Sequence, residues 1–135
     1  MNGYKVLGII LATVGFYAVG MIWYGFAFSE LWMNESRITE ADYQNNSPLW
    51  MLLGIALTIM QVIGISYILC WKGRPDMPEA IKSIGMLAVL LAAAFSMYAL
   101  AYMPQHSVPL FMIDASHLIL GWIIAAAVLT YFRAN

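Results

Sequence analysis

Charge is what this sequence has least of. Asp, Glu, Lys and Arg make up 10% of its 135 residues, against about 25% in ordinary globular proteins. Hydrophobic residues make up 63%, where about 45–50% is usual, and the mean hydropathy is +0.79. A soluble fold of this size has too much surface for its volume to hide so much apolar material, which excludes a soluble enzyme. A disordered chain, which needs charge and low hydrophobicity, is excluded with it. Six Lys and Arg against seven Asp and Glu leave a net charge of −1 and no basic stripe for a nucleic-acid backbone. The single cysteine, Cys70, permits no intrachain disulfide and excludes a disulfide scaffold. Zinc-protease, serine-hydrolase and phosphate-loop motifs are also missing, so no enzymatic activity and no cofactor is expected.

What the sequence does have is long apolar runs. Crossing a bilayer takes about 20 apolar residues, and four segments qualify: residues 6–28, 49–71, 83–103 and 110–132. They lack period-2 alternation and are too long for barrel strands, so they read as helices. The expectation is an all-α integral membrane protein, an antiparallel four-helix bundle forming a single domain over residues 1–135. Residues 29–48 form an acidic connection with Glu30, Glu35, Glu40 and Asp42, in which Thr39 and Asp42 are spaced to cap a short surface helix. In residues 72–82, Pro75 and Pro78 break helix continuity.

The few basic residues are sorted. With four spans, Lys5, Lys72, Arg74, Lys82 and Arg133 share one side and Arg37 lies alone on the other. The positive-inside rule then places both termini in the cytoplasm. Trp23, Tyr24, Trp32, Trp50, Trp71, Tyr102 and Tyr131 sit near span ends, as an aromatic belt would. The first span is too long for a cleaved signal and is read as retained. Asn34–Ser36 and Asn45–Ser47 match the glycosylation tripeptide, which matters only in a eukaryotic host.

Helices in lipid associate through close packing of small residues. The third span carries Gly85, Ala88, Ala92, Ser96 and Ala99 as one stripe; the first offers Gly8, Ala12 and Gly15, the second Gly54 and Thr58, the fourth Gly121 and Ala125. Four short helices bury little surface on one another, so a homo-oligomer or a place in a larger membrane complex is expected.

Only the last span holds ionisable groups, Asp114 and His117. Counting rise from the helix ends puts Asp114 about 6 Å deep, His117 about 10 Å, Tyr24 about 6 Å and Tyr98 about 7–8 Å, all from the same side. Asp114 and His117 are three residues apart on one helix face, where the carboxylate would steady the imidazole's proton and tautomer. An ionisable residue in a span costs about 2.5–3.5 kcal/mol to insert and marks a candidate site. Three readings stay open: a structural clamp, with Asp114 accepting from Tyr24 or Tyr98 and His117 bonding a carbonyl; a ligand pocket or proton relay; and a metal site, for which only His106 and Glu30 are further candidates and to which no metal is assigned. Gln61 near the midplane reads as interhelical glue.

The segment Gly20-Met-Ile-Trp23-Tyr24-Gly25-Phe26-Ala-Phe28-Ser-Glu30-Leu-Trp32 resembles a bacterial four-helix membrane family, domain of unknown function 1761, whose members read G-x-x-W-Y-G-P-x-F-G-K-x-W. Phe111-Met-Ile-Asp114, with His117 and Gly121 downstream, is similar to the family's last helix. Phe26 stands where the family has Pro, and Glu30 where it has Lys. The resemblance implies fold and topology and no particular activity. In physical terms Trp23, Tyr24 and Trp32 would anchor at headgroup level, and Gly25 would admit a turn or another backbone. Trp23, Tyr24, Tyr98, Asp114 and His117 are therefore the candidate cluster, with Gln61, Glu30, Trp32 and His106 secondary. The expected function is that of a small accessory or self-associating subunit. The alternative is an oligomeric transporter or channel handling a proton, cation or polar solute through Asp114 and His117.

Overall fold

Four helices long and apolar enough to cross a membrane run Val6–Ala27, Leu49–Trp71, Met77–Tyr102 and Val108–Tyr131. They come from a computed structural model that describes Tyr4, residues 6–45 and residues 47–133, the side chain of residue 43 aside. In chain order the elements are α1 (Val6–Ile22), which runs on as a π-helical turn over Trp23–Ala27, then α2 (Ser29–Ser36), α3 (Glu40–Gln44) and α4 (Leu49–Trp71). The third span is one rod of α5 (Met77–Leu87), a π-helical stretch Ala88–Ala93 and α6 (Ala94–Tyr102); α7 (Val108–Tyr131) closes the chain. No strand occurs among the described residues.

The helix ends follow from local chemistry. Thr39 and Asp42 form a reciprocal capping box that starts α3, and the Thr39 hydroxyl and amide hold the Asp42 carboxyl below its ordinary range. Asp76 caps α5 by accepting from the Glu79 amide at 3.1 Å, with Pro78 in the first turn. The third span therefore starts at Met77 rather than 83, and Lys82 lies on the helix. Pro78 does not break this helix because first-turn residues have no intrahelical amide partner to lose. Residues 29–36, read from sequence as loop, form α2. Lys5 of the charge count and residue 46 of the second glycosylation tripeptide lie outside the described residues.

α7 is the hub. It packs against α1, α4 and the whole third span, and the third span rests almost wholly on α7. The small-residue stripe is what allows this: Ala88, Ala92 and Ala93 are buried, and a methyl on Gly85 would just touch Ile123 at 3.7 Å. Ala92 and Ala93 are neighbours in sequence yet both buried, because the wider π-helical turn brings an extra residue to the contact face. Between α1 and α7 the approach is closest. The Phe16 ring lies on the backbone of Gly121, so near that a Cβ there would sit 2.1 Å from Cε2. Phe16, Val62, Ile65, Leu69, Ile84 and Leu129 are the largest fully buried side chains.

At the end of the bundle where α1 begins and α7 ends, Arg133 Nη1 donates to the carbonyls of Arg74 and Pro75, each at 3.2 Å. Lys72 Nζ pairs with Glu79 at 2.8 Å. That pair is half-exposed and contributes little.

Gly121→Ala forces a methyl into the Phe16 ring. The substitution should destabilise the purified protein by about 1–3 kcal/mol, read as an earlier thermal unfolding in detergent. Gly85→Ala, whose methyl has room and whose helix gains from alanine, should unfold no earlier than the parent; equal behaviour of the two variants would contradict the packing described.

Candidate functional site

The site is built at the opposite end, where α2 lies against the π-helical turn after α1 and against α7. A regular helix sets adjacent residues 100° apart, so Trp23 and Tyr24 would not both favour α7. The π-helical turn, closed by the Phe28 amide bonding to the Trp23 carbonyl at 2.9 Å, narrows that angle. Both side chains then reach α7: Trp23 Nε1 donates to Ser116 Oγ at 2.9 Å and Tyr24 Oη donates to Asp114 Oδ1 at 2.6 Å. Each bond removes an unpaired polar group from an apolar setting. The sequence-level meeting of the first and last spans thus takes place at Tyr24 and Asp114.

Asp114 and His117 share a face but make no hydrogen bond with each other. Side chains on a helix lean toward its N-terminus, so Asp114 points away from His117 and toward the 103–107 turn. There its Oδ2 lies 3.7 Å from His106 Nε2, in a pair whose side chains are 14% (His106) and 27% (Asp114) exposed. His106 Nε2 is buried without a hydrogen bond. His106, secondary in the sequence reading, is therefore the imidazole beside the carboxylate. The His117 ring is instead flanked by Phe16 at 5.6 Å and Tyr24 at 5.2 Å between centroids. Its Nε2 faces Gly20, where a Cβ would come within 3.1 Å. It bonds no carbonyl, so of the clamp expectation the Tyr24–Asp114 bond is present and the His117 bond is not.

Two other expected residues lie elsewhere. Tyr98 is 60% exposed and stacks with Phe95 and Tyr102 at 6.2 and 5.9 Å on the far side of the third span. Depth alone suggested it; but Ser96 belongs to the stripe facing α7, and two residues on is about 200° round the helix. Glu30 sits on the exposed side of α2. The carboxylate of α2 that reaches inward is Glu35, which accepts from the hydroxyl of Ser107, itself the N-cap of α7. That bond, with the edge-to-face contact of Trp32 on Tyr24 at 5.5 Å, holds α2 over the bundle end.

These contacts enclose a cavity of about 460 Å³ between α1, α4 and α7, within the range of small-molecule sites. From α1 it is lined by Phe16, Tyr17, Gly20, Met21, Tyr24 and Gly25, from α2 by Trp32, from α4 by Trp50, Gly54, Leu57, Thr58 and Gln61, and from α7 by Asp114 and His117. Gln61 closes its deep end: Oε1 accepts from Trp122 Nε1 at 2.8 Å and Nε2 donates to the Leu57 carbonyl in its own helix at 3.4 Å. Trp122, Ser116 and Glu35 went unseen in sequence. A signal for Trp122 existed, since an indole N–H in mid-span needs an acceptor, and Gln61 lies at a similar depth, about 18 Å against 21 Å from the helix starts. Among the described residues no three His, Cys, Asp or Glu come together where one ion could be held.

The family of proteins of unknown function DUF1761 matches this chain over residues 7–130. The chain belongs to that family. Searches of curated proteins and of solved structures returned no match. The match takes in both segments that meet at the site, Trp23–Trp32 and Phe111–Gly121, and carries no activity with it.

The bond between Tyr24 and Asp114 should show as coupling. Tyr24→Phe and Asp114→Asn should each lower thermal stability in detergent, while the double variant loses less than the sum, by about 0.6–1.7 kcal/mol. Strict additivity would mean that the two side chains do not interact.

Proposed function

We propose that this membrane protein is a non-enzymatic solute handler, a transporter or channel-like component, whose binding cavity opens on the outer side of a bacterial inner membrane. The observation carrying this reading is the cavity that holds Asp114 and His117 on one wall. Neither side chain is sealed by the fold: Asp114 keeps an oxygen with no hydrogen bond, and His117 has no hydrogen-bond partner. Among the described residues, Lys72, Arg74, Lys82 and Arg133 lie toward the end where α1 begins and α7 ends, and Arg37 just after α2, which supports cytoplasmic termini and an outward-facing α2.

Cysteine accessibility tests this. In a Cys70→Ser background, Gly54→Cys places a thiol on the cavity wall, where its Cβ makes an ordinary 3.6 Å contact with Tyr17. A membrane-impermeant thiol reagent added outside the cell should label it, and should leave Ala126→Cys, fully buried in the core, unlabelled. Absence of labelling at Gly54→Cys would overturn the solute-cavity reading.

The accessory or self-associating subunit is the second reading. It is favoured by the Phe95–Tyr98–Tyr102 ladder, which turns a tyrosine hydroxyl outward from within the third span with no partner in the described chain. Tyr98→Cys should then crosslink between copies in native membranes. A strictly monomeric product would remove its support.

A further inference from the structure

The lining of the cavity has a chemical bias and an unexplained gap. Its ionisable side chains besides tyrosine are Asp114 and His117, and it contains neither Lys nor Arg. The same lining includes the aromatic side chains of Tyr17, Tyr24, Trp32 and Trp50. Oδ1 of Asp114 already accepts from Tyr24, but Oδ2 only faces His106 at 3.7 Å, beyond hydrogen-bond distance. Oδ2 therefore retains acceptor capacity, on a residue that lines a partly enclosed space rich in aromatic side chains. Such a space suits a cation, held by the carboxylate's charge and by the negative faces of the rings. It suits an anion poorly, with no cationic group in the lining to offset the carboxylate.

The gap is at Gly25. This residue is exposed, lines the cavity and so lies on its rim. Glycine inside a helix costs about 0.5–1 kcal/mol relative to alanine and is normally explained by a positive φ or a close neighbour. Neither applies. Gly25 is not among the positive-φ glycines, and a Cβ on it would meet nothing within 4 Å. The sequence-level idea that another backbone approaches here is thus corrected. A side chain at this rim position would extend into open space beside the cavity.

We infer that the cavity takes a small amphiphilic organic ammonium ion, which enters past Gly25 and sets its charged head between Asp114 and the surrounding aromatic rings. The apolar part of the ligand lies against Phe16 and Leu57, farther down the wall. This inference rests on the solute-cavity reading above and adds the ligand's charge and its way in.

Isothermal titration of the full-length protein in detergent at pH 8 tests it. The probes are benzyltrimethylammonium and neopentylbenzene, which has carbon in place of the quaternary nitrogen; each is also titrated into empty micelles as a blank. The cation should bind at least about tenfold more tightly than its neutral isostere, the scale of a desolvated cation–π contact. Asp114→Asn should remove that preference and Asp114→Glu keep it. Gly25→Trp should weaken both probes, and Gly25→Ala neither. Equal affinities, no binding of the cation, or a preference surviving in Asp114→Asn would overturn the inference. If both probes bind equally and both are lost in Gly25→Trp, the charge assignment falls while the cavity reading stands. If Gly54→Cys resists labelling, the cavity reading itself falls.

Discussion

The contact of Phe16 with the bare backbone of Gly121 sets the distance between α1 and α7, and the rest of the site depends on that distance. Eight residues beyond Phe16 is Tyr24, and seven residues before Gly121 is Asp114. Because the helices run in opposite directions, these two positions rise together, by about 12 and 10.5 Å. A close approach at one level thus brings the hydroxyl to the carboxylate at the next. His117 lies between the two levels, with the ring of Phe16 below it and that of Tyr24 above. The same ring that fills the core is one wall of the cavity, so packing and site are not separable here.

In lipid the apolar surface of a helix gains little by meeting another helix, and what holds the bundle is fit and the pairing of polar groups. This protein uses few such pairs and spreads them through the depth of α7. Glu35 with Ser107, Tyr24 with Asp114, Trp23 with Ser116 and Gln61 with Trp122 descend α7 from its first turn to its middle. Below them Ala125, Ala126 and Leu129 of α7 belong to an apolar core with Val62, Ile65, Leu69 and Ile84. The half of α7 with polar partners is the half beside the cavity, and the half without them is the tightly packed core.

Much of this was legible in the residues. Apolar run length gave four spans, because lipid thickness is a constraint that a chain meets locally. The small-residue stripe pointed the third span correctly, because its spacing is that of a helix face. Thr39 and Asp42 announced their capping box. Depth could also be counted, which brought Tyr24 and Asp114 to one level. Face is harder to count than depth. Tyr98 was placed by depth and lies on the opposite face, although the stripe through Ser96 already implied as much. Direction along the helix mattered as well: the tilt of its Cα–Cβ bond takes Asp114 to His106 rather than to His117. The start of the third span was misplaced because Pro78 reads as a breaker unless Asp76 is recognised as a cap. α2 was missed because its eight residues lack an apolar face long enough to announce a helix. The cavity itself has no signature in one dimension, since its walls come from four separate elements.

The π-helical turn over Trp23–Ala27 makes chain length part of the site's geometry. A first span one residue shorter would still cross a bilayer and would form a regular helix more easily. Everything after the deletion would be turned by about 100° and drawn in by about 1.5 Å. α2 would swing with it, Glu35 would leave Ser107, and Trp32 would leave the wall of the cavity. Along this stretch the protein is therefore expected to accept changes of side chain more readily than changes of count.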